Sequence, residues 1–211
     1  MPTGRWVESC FAKPTETRYQ MINPLAGTIS SLASVLDRLG IAYVIGGSVA
    51  SSARGVLRAT FDVDVVAAIA GSQAERFASA LGPEWYAEPD QMRQAIAAKR
   101  AFNVIHIPLG NKVDIFPATE DFHLCQLERA TWVSLPFVEE SAKYPVATAE
   151  DILLAKLQWY RDGGEVSERQ WTDIQGILAV NPDLDFGYVR SWAARLAVEK
   201  LLGRALEEAR S

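Results

Sequence analysis

The sequence predicts an α+β fold in which a mixed β-sheet is flanked by helices and followed by a helical C-terminal region. In the first part of the chain, short apolar runs rich in β-branched residues alternate with segments of helical spacing. From Thr148 onward only helical spacing remains. We therefore expect an N-terminal arm over 1–27, an α/β core over 28–118, and a mainly helical region over 119–211 packed on that core.

Each predicted element follows from local spacing and from the residues that end it. Apolar residues recur every three or four positions from Ile29 to Leu39, and Gly40 follows, which is typical of an amphipathic helix and its end. The motif Pro108-Leu109-Gly110-Asn111 separates two strand-like runs and predicts a hairpin. The predicted elements are, in chain order, a helix over 28–39, a strand over 41–45, a helix over 49–54, a strand over 61–66, helices over 72–81 and 91–98, strands over 101–107 and 112–116, a helix over 122–130, extended segments over 132–138 and 144–146, and helices from 148, over 167–180 and over 186–209.

The composition is that of a globular protein and excludes disorder and collagen-like structure. The 211 residues are 49% hydrophobic and carry a net charge of -5, so a surface-wide attraction to nucleic acid is not expected. Cys10 and Cys125 form no C-x-x-C pair, which indicates ordinary thiols in a reducing compartment. The first twenty residues lack the apolar core of a secretory signal, and no apolar run is long enough to span a membrane. We expect a cytoplasmic protein.

Three acidic residues interrupt strands that are otherwise apolar. Asp62 and Asp64 alternate with valines, so both carboxylates point to one face of a strand. Asp114 stands between two apolar residues on a later strand. Buried carboxylates are costly unless a cation neutralises them, and Mg²⁺ prefers oxygen ligands. If the two strands are neighbours, the sequence predicts a magnesium site at one end of the sheet.

A glycine turn precedes these acids. Gly46 and Gly47 follow the predicted strand over 41–45, and Ser48 starts the next helical segment. Glycines let the backbone approach a ligand closely, and the serine hydroxyl can donate to a phosphate. A single Gly-Gly-Ser is usually a plain turn, but its combination with acids on two strands points to a site for a metal and a triphosphate.

The stretches Ile45-Gly46-Gly47-Ser48, Asp62-Val63-Asp64-Val65 and Val113-Asp114-Ile115 resemble the signature of the nucleotidyltransferase superfamily related to DNA polymerase beta. The resemblance covers roughly residues 28–118, and it extends to small bacterial members, including minimal nucleotidyltransferases and AbiEii-type toxins. It implies two Mg²⁺ ions and transfer of a nucleoside monophosphate from an NTP, with pyrophosphate leaving. It does not identify the acceptor, which is a hydroxyl group of a protein, of a tRNA end or of a small molecule. The expected protein partner is a cognate antitoxin or a second copy of the chain.

The resemblance also implies roles for individual residues. Asp62 and Asp64 would hold both metal ions, and Asp114 would ligate the one that activates the acceptor hydroxyl. These three aspartates are the expected catalytic and metal-binding residues. The residues expected to bind the nucleotide phosphates are Gly46, Gly47, Ser48, Arg58 and Lys156.

The helical C-terminal region resembles AbiEii-like proteins more loosely. Lys156 stands where the family tends to carry a lysine, and the stretch 168–173 stands where it carries an Arg-Asp-x-x-Asp pattern. This sequence has Glu168-Arg169 in place of Arg-Asp and a longer connection through Gly163-Gly164. The pattern therefore transfers only in part, to Lys156 and Asp173.

Other interpretations of the same residues stay open at this point. Asp114 alternatively pairs with Lys112, and Arg58 with Asp62, while Lys156 alternatively lies on the protein surface. The strand with Asp62 is alternatively a solvent-facing edge strand. The tryptophans on helices are expected in the core rather than as platforms for bases, since no basic stripe accompanies them.

The whole chain also has a second interpretation. It is alternatively a non-catalytic nucleotide-binding or protein-interaction module on the same fold. A metal-dependent phosphohydrolase is less favoured, because such enzymes usually add histidine ligands and the chain has only two histidines.

Overall fold

A computed structural model describes residues 24–56, 62–135, 138 and 142–209. The strands are β1 (Tyr43–Ile45), β2 (Asp62–Ala67), β3 (Trp85–Tyr86), β4 (Phe102–His106), β5 (Asn111–Pro117), β6 (Thr131–Val133) and β7 (Tyr144–Val146). The helices are α1 (Pro24–Leu39), α2 (Gly47–Ala53), α3 (Ala74–Leu81), α4 (Pro89–Ala97), α5 (Asp121–Arg129), α6 (Ala149–Asp162), α7 (Glu168–Val180), α8 (Phe186–Arg195) and α9 (Glu199–Glu208).

The strands form one mixed sheet in the order β3-β4-β5-β2-β1-β7-β6. β2 lies near its centre, parallel to β5 and antiparallel to β1. The predicted hairpin between β4 and β5 is present, with a short 3₁₀ turn and Gly110 in the left-handed region. The predicted α+β fold, with its mixed sheet, flanking helices and helical C-terminal region, is confirmed.

The two faces of the sheet are covered differently. Ile29 and Leu32 of α1 lie against Val63 and Val65 of β2, all four buried. On β5, burial alternates: the odd-numbered positions are buried, and the even-numbered ones, from Lys112 to Phe116, are half-exposed. α5 and α6 cover that second face incompletely, and this leaves a cleft.

The C-terminal helices begin where the sequence predicts them. Thr148 caps α6 by accepting a hydrogen bond from the Asp151 N–H at 3.3 Å, and Ser167 caps α7 in the same way. The single helix predicted over 186–209 is wrong, because Ala197, at φ 55°, separates α8 from α9. Arg161 donates to the Leu196 carbonyl at this break and so satisfies a backbone acceptor at the end of α8.

The division into an arm, a core ending at 118 and a helical region stays a prediction. Residues 1–23 lie outside the described part of the chain, and α1 begins at Pro24. β6 and β7, which come after 118, extend the same sheet. Among the helices of the described ranges, none is both long and apolar enough to cross a membrane.

Candidate active site

Two of the three predicted acids are paired on neighbouring strands. Asp64 on β2 and Asp114 on β5 are register partners in the parallel ladder. Because paired positions of parallel strands project to the same face, the two carboxylates lie side by side on the half-covered face. Asp62 is exposed at the start of β2. β2 is not an edge strand, so that alternative for the acids is wrong.

The charge around Asp64 is poorly balanced. Burial, followed by the charge of Asp114, raises the pKa of Asp64 to about 6, and Lys156 and Lys112 offset this only in part. Lys112 forms an ion pair with Asp114, with 2.8 Å between Nζ and Oδ2, so that pairing does exist. A carboxylate that is disfavoured in its charged form by a second carboxylate suits a divalent cation.

The donor set for a metal is incomplete in its present geometry. Within the described ranges, no three His, Cys, Asp or Glu side chains are arranged as a metal-binding group. Asp64 and Asp114 supply oxygens of the type that Mg²⁺ prefers. The assignment of Asp62, Asp64 and Asp114 as metal ligands and catalytic residues stays a prediction.

The glycine turn lies directly against Asp64. The Gly46 N–H donates to the Asp64 carbonyl oxygen at 2.8 Å, which fixes the turn to β2. Gly47 has φ 56°, and a Cβ there would stand 1.7 Å from Asp64 Oδ2. Position 47 therefore accepts only glycine without displacing the carboxylate. Ser48 follows, half-buried in the first turn of α2.

Lys156 is a buried cation in the same region. It is 4% exposed, so the alternative that it lies on the surface is wrong. Its Nζ donates to Asp173 Oδ2 on α7 at 2.8 Å, and both side chains are buried. The charge of Lys156 favours the ionised form of Asp64 and so opposes the effects of burial and of Asp114 on its pKa. By contrast, Arg169 is exposed on α7.

The half-covered face of the sheet forms a cleft of about 490 Å³, counted with the open space at its mouth. Gly46, Gly47, Asp64 and Lys156 line it, so four predicted site residues meet in one place. Asp114 borders this group as the partner of Asp64. Arg58 belongs to the segment 57–61, outside the described residues.

Sequence reasoning missed the aromatic and amide residues that line this cleft. They come from the end of β5 and from α5 and α6, and they are mostly aromatic or amide side chains. One available signal was that Phe116 follows Asp114 by two positions and so shares its face. A second was that Trp159 follows Lys156 by three positions on a helix. The additional aromatic and polar residues are Phe116, Phe122, His123, Gln126, Gln158 and Trp159.

The two histidines occupy different environments. His106 is buried and does not line the cleft; its Nδ1 lies 3.0 Å from Thr28 Oγ1, and the centroid of its ring lies 4.7 Å from that of Trp85. This agrees with a structural role. Burial lowers the pKa of His123, so its ring is neutral at pH 7.

No known protein family and no curated protein matches the chain. Among solved structures, it is similar to the antibiotic-resistance factor ANT(2'')-Ia in solution, at 15% identity over 90% of this chain and 98% of that one, with a TM-score of 0.49. It is also similar to an antigenic nucleotidyltransferase-like protein from Paracoccidioides brasiliensis, at 20% identity over 87% and 92%, with a TM-score of 0.48. The crystal structure of ANT(2'')-Ia with adenylyl-2''-tobramycin aligns at 15% identity over 82% and 97%, with a TM-score of 0.45. All three TM-scores are below 0.5, so these similarities assign no function to this chain.

Proposed function

We propose that this protein is a nucleotidyltransferase, which transfers a nucleoside monophosphate from an NTP to a hydroxyl acceptor. The observation that carries the proposal is the position of Asp64. Its carboxylate lies against Gly47 and beside Asp114, at the edge of a cleft that also holds the buried Lys156. The sequence motifs around these residues support the same chemistry.

The acids are suited to hold Mg²⁺. Asp64 and Asp114, joined by the exposed Asp62, would bind two ions through carboxylate oxygens. The raised pKa of Asp64 supports this, because a bound cation would relieve the repulsion from Asp114. When bound, the metal would neutralise charge that develops on the phosphate oxygens.

The remaining residues would bind and orient the nucleotide. Gly47 lets a phosphate approach the backbone, and the Ser48 hydroxyl would donate to it. Lys156, held by Asp173, would place a fixed positive charge beside the triphosphate, and Arg58 would add a second.

The transfer itself is a single substitution at phosphorus. The acceptor oxygen forms a bond to the α-phosphorus while the bond from that phosphorus to the bridging oxygen breaks, and pyrophosphate leaves. Asp114 would take the proton of the acceptor hydroxyl on its carboxylate and pass it to solvent. A role as the toxin of a toxin-antitoxin pair would add one expectation, that expression of the wild type arrests growth whereas expression of Asp64→Asn does not.

The test begins with binding and continues to transfer. Each NTP is titrated with Mg²⁺ by calorimetry into the wild type, Asp64→Asn, and the matched control Asp183→Asn, which changes an exposed acid in the loop after α7. Transfer of an α-phosphate label is then followed to total tRNA, to the chain itself and to tobramycin as a polyhydroxylated small molecule. The proposal requires Mg²⁺-dependent binding and transfer that Asp64→Asn abolishes and Asp183→Asn retains. Binding without transfer to any acceptor supports the non-catalytic module instead.

A further inference from the structure

The cleft does not end at the acid pair. Phe116 lies two residues beyond Asp114 on the same face of β5, which places it about 7 Å further along the strand. It lines the cleft that Asp64 and Lys156 also line. The half-exposed positions of β5 therefore run from the acids into a second part of the same cleft. We name this part, lined by Phe116, His123, Gln126, Gln158 and Trp159, the aromatic end.

Two aromatic rings form one side of the aromatic end. Phe116 and Trp159 stack with ring centroids 5.8 Å apart and an interplanar angle of 27°. Both side chains are only half-buried, so their surfaces are not fully covered by the core. Ala155, one turn before Trp159 on α6, also lines the cleft and contributes only a methyl group to it.

The polar groups of the aromatic end are neutral. Gln126 and Gln158 offer amide donors and acceptors, and the lowered pKa of His123 leaves its ring uncharged at pH 7. Among the described residues that line the whole cleft, Asp64 is the one acid. The aromatic end therefore lacks the carboxylates that a polycationic ligand would need. A flat, neutral ligand with hydrogen-bonding edges fits this lining.

We propose that the aromatic end is a nucleobase subsite, in which a base stacks on Trp159 and Phe116 and its edge hydrogen-bonds to Gln126 or Gln158. The assignment rests on the proposed function, because it places the phosphates of the same nucleotide toward Gly47 and Asp64. A base can reach this subsite from the NTP or from the terminal nucleotide of an RNA acceptor. In both cases the ligand is a nucleobase, and the experiments below distinguish the NTP from the RNA acceptor as its source.

The first experiment compares ligands with and without a base. ATP, GTP, CTP, UTP and tripolyphosphate, each with Mg²⁺, are titrated into the wild type, Trp159→Ala, Trp159→Phe and Trp132→Ala. Trp132 is the matched control, since it is 59% exposed on β6 and does not line the cleft. At least one NTP is expected to bind about tenfold tighter than tripolyphosphate to the wild type. Trp159→Ala should remove this difference, Trp159→Phe should restore most of it, and Trp132→Ala should leave it unchanged.

The second experiment determines whether the base belongs to the NTP or to an RNA acceptor. It also distinguishes failure of the nucleobase subsite from failure of the proposed function. Fluorine NMR of the 5-fluorotryptophan-labelled protein follows Trp159 and Trp132 during addition of the four nucleosides, the NTPs and a single-stranded RNA trinucleotide. A shift of Trp159 with NTP assigns the subsite to the nucleotide donor, and a shift with the trinucleotide alone assigns it to the acceptor. A nucleoside that shifts Trp159 while tripolyphosphate and NTPs fail to bind supports the subsite and contradicts the proposed function. If no nucleoside, NTP or RNA shifts Trp159, and NTP and tripolyphosphate bind equally well, the subsite is wrong.

Discussion

Asp64 and Asp114 are paired across two parallel strands, and the charge of Asp114 is, after burial, the largest cause of the raised pKa of Asp64. Lys112 neutralises Asp114 through its ion pair. Gly47, which lies against the Asp64 carboxylate, has no side chain that could do the same for Asp64. The pair is therefore asymmetric: one carboxylate has a close cation, and the other is held in an unfavourable charged form.

Removing the charge of Asp114 is expected to lower the pKa of Asp64. In Asp114→Asn the repulsion disappears and Lys112 is released from its ion pair, and both changes favour the ionised form of Asp64. The pKa should fall from about 6 toward the ordinary value of 3.8, as measured by carbon NMR of labelled aspartates in a metal chelator. Asp183→Asn serves as the control and should leave the titration of Asp64 unchanged. An Asp64 pKa that stays near 6 in Asp114→Asn would show that the charge of Asp114 contributes little to raising it.

The same raised pKa predicts how stability depends on pH without metal. Native Asp64 keeps its proton up to about pH 6, whereas in the unfolded chain the same carboxyl group releases its proton near pH 3.8. The free energy of unfolding therefore decreases as the pH rises between these two values. Between pH 4 and 7, Asp64→Asn should therefore lose less unfolding free energy than the wild type, by up to about 3 kcal/mol. Urea unfolding at several pH values, with a chelator present, measures the difference. Parallel pH profiles for the two proteins would contradict the expectation.

Gly47 and Gly40 give a matched pair for separating backbone strain from contact with Asp64. Both have positive φ, 56° and 66°, but a Cβ at Gly40 meets nothing within 4 Å, whereas one at Gly47 would overlap the Asp64 carboxylate. Gly40→Ala should cost about 1–2 kcal/mol of unfolding free energy and leave NTP binding intact. Gly47→Ala should cost more and also abolish binding, because Asp64 must move. Denaturation and calorimetry of both variants test this, and equal effects of the two variants would argue against a specific role for Gly47.

The sequence was informative about this site where the signal is local. Alternation along one strand placed Asp62 and Asp64 on one face, the apolar neighbours of Asp114 marked a second strand with an acid, and glycine chemistry marked the turn at Gly46 and Gly47. The pairing of β2 with β5, which brings Asp64 next to Asp114, could be predicted only conditionally. The register between two strands that are distant in sequence is not determined by either strand alone. The exposure of Asp62 could not be predicted for the same reason, because it depends on where the pairing of β2 with β5 begins.

Features that depend on helix packing were not predictable from local spacing. The burial of Lys156 requires Asp173, seventeen residues later on another helix, to satisfy its charge. Trp159 was expected in the core, yet it lines the cleft because α6 crosses a half-covered sheet face. The break at Ala197 has no glycine or proline to mark it and is formed by backbone hydrogen bonds such as that from the Val198 N–H to the Ala193 carbonyl.

A buried network beside the cleft predicts a pH-dependent effect of Tyr188→Phe. The Tyr188 hydroxyl donates to Asp151 Oδ1 at 2.5 Å and lies 3.3 Å from Cys125 Sγ. Burial raises the pKa of Asp151, while this hydrogen bond and the nearby Arg129 favour its charged form. Removing the hydroxyl should cost about 1.5–3 kcal/mol at pH 7, because the bond is to a charged group.

The cost of Tyr188→Phe should shrink as the pH falls. The hydrogen bond stabilises the ionised carboxylate, so its contribution is present above the pKa of Asp151 and decreases as Asp151 takes up a proton. Thermal or urea unfolding at pH 7 and pH 4 measures the difference. Tyr86→Phe, on an exposed side chain of β3, is the control and should have no effect at either pH. A constant cost across this range would mean that Asp151 does not change its protonation state between pH 4 and pH 7.

The ion pair between Lys156 and Asp173 is expected to couple stability to nucleotide binding. Because both groups are buried, Lys156→Met or Asp173→Asn alone leaves the partner without its counter-charge and should cost about 3–5 kcal/mol. The double variant should cost less than the sum, since neither charge then remains buried and unpaired. Asp90→Asn, which removes an exposed ion pair with Arg93, is the control and should barely change stability.

The same variants separate a structural role of Lys156 from a role in binding. If Lys156 faces the triphosphate, NTP affinity should fall in Lys156→Met and stay low in the double variant, even where stability recovers. Asp173→Asn should weaken binding less, because the ammonium group is retained but is no longer fixed in place by the carboxylate. Calorimetric titration of NTP with Mg²⁺, below the melting temperature of each variant, gives this order directly. If the double variant binds NTP with the affinity of the wild type, Lys156 has only a structural role, in which its ion pair with Asp173 holds α6 and α7 together.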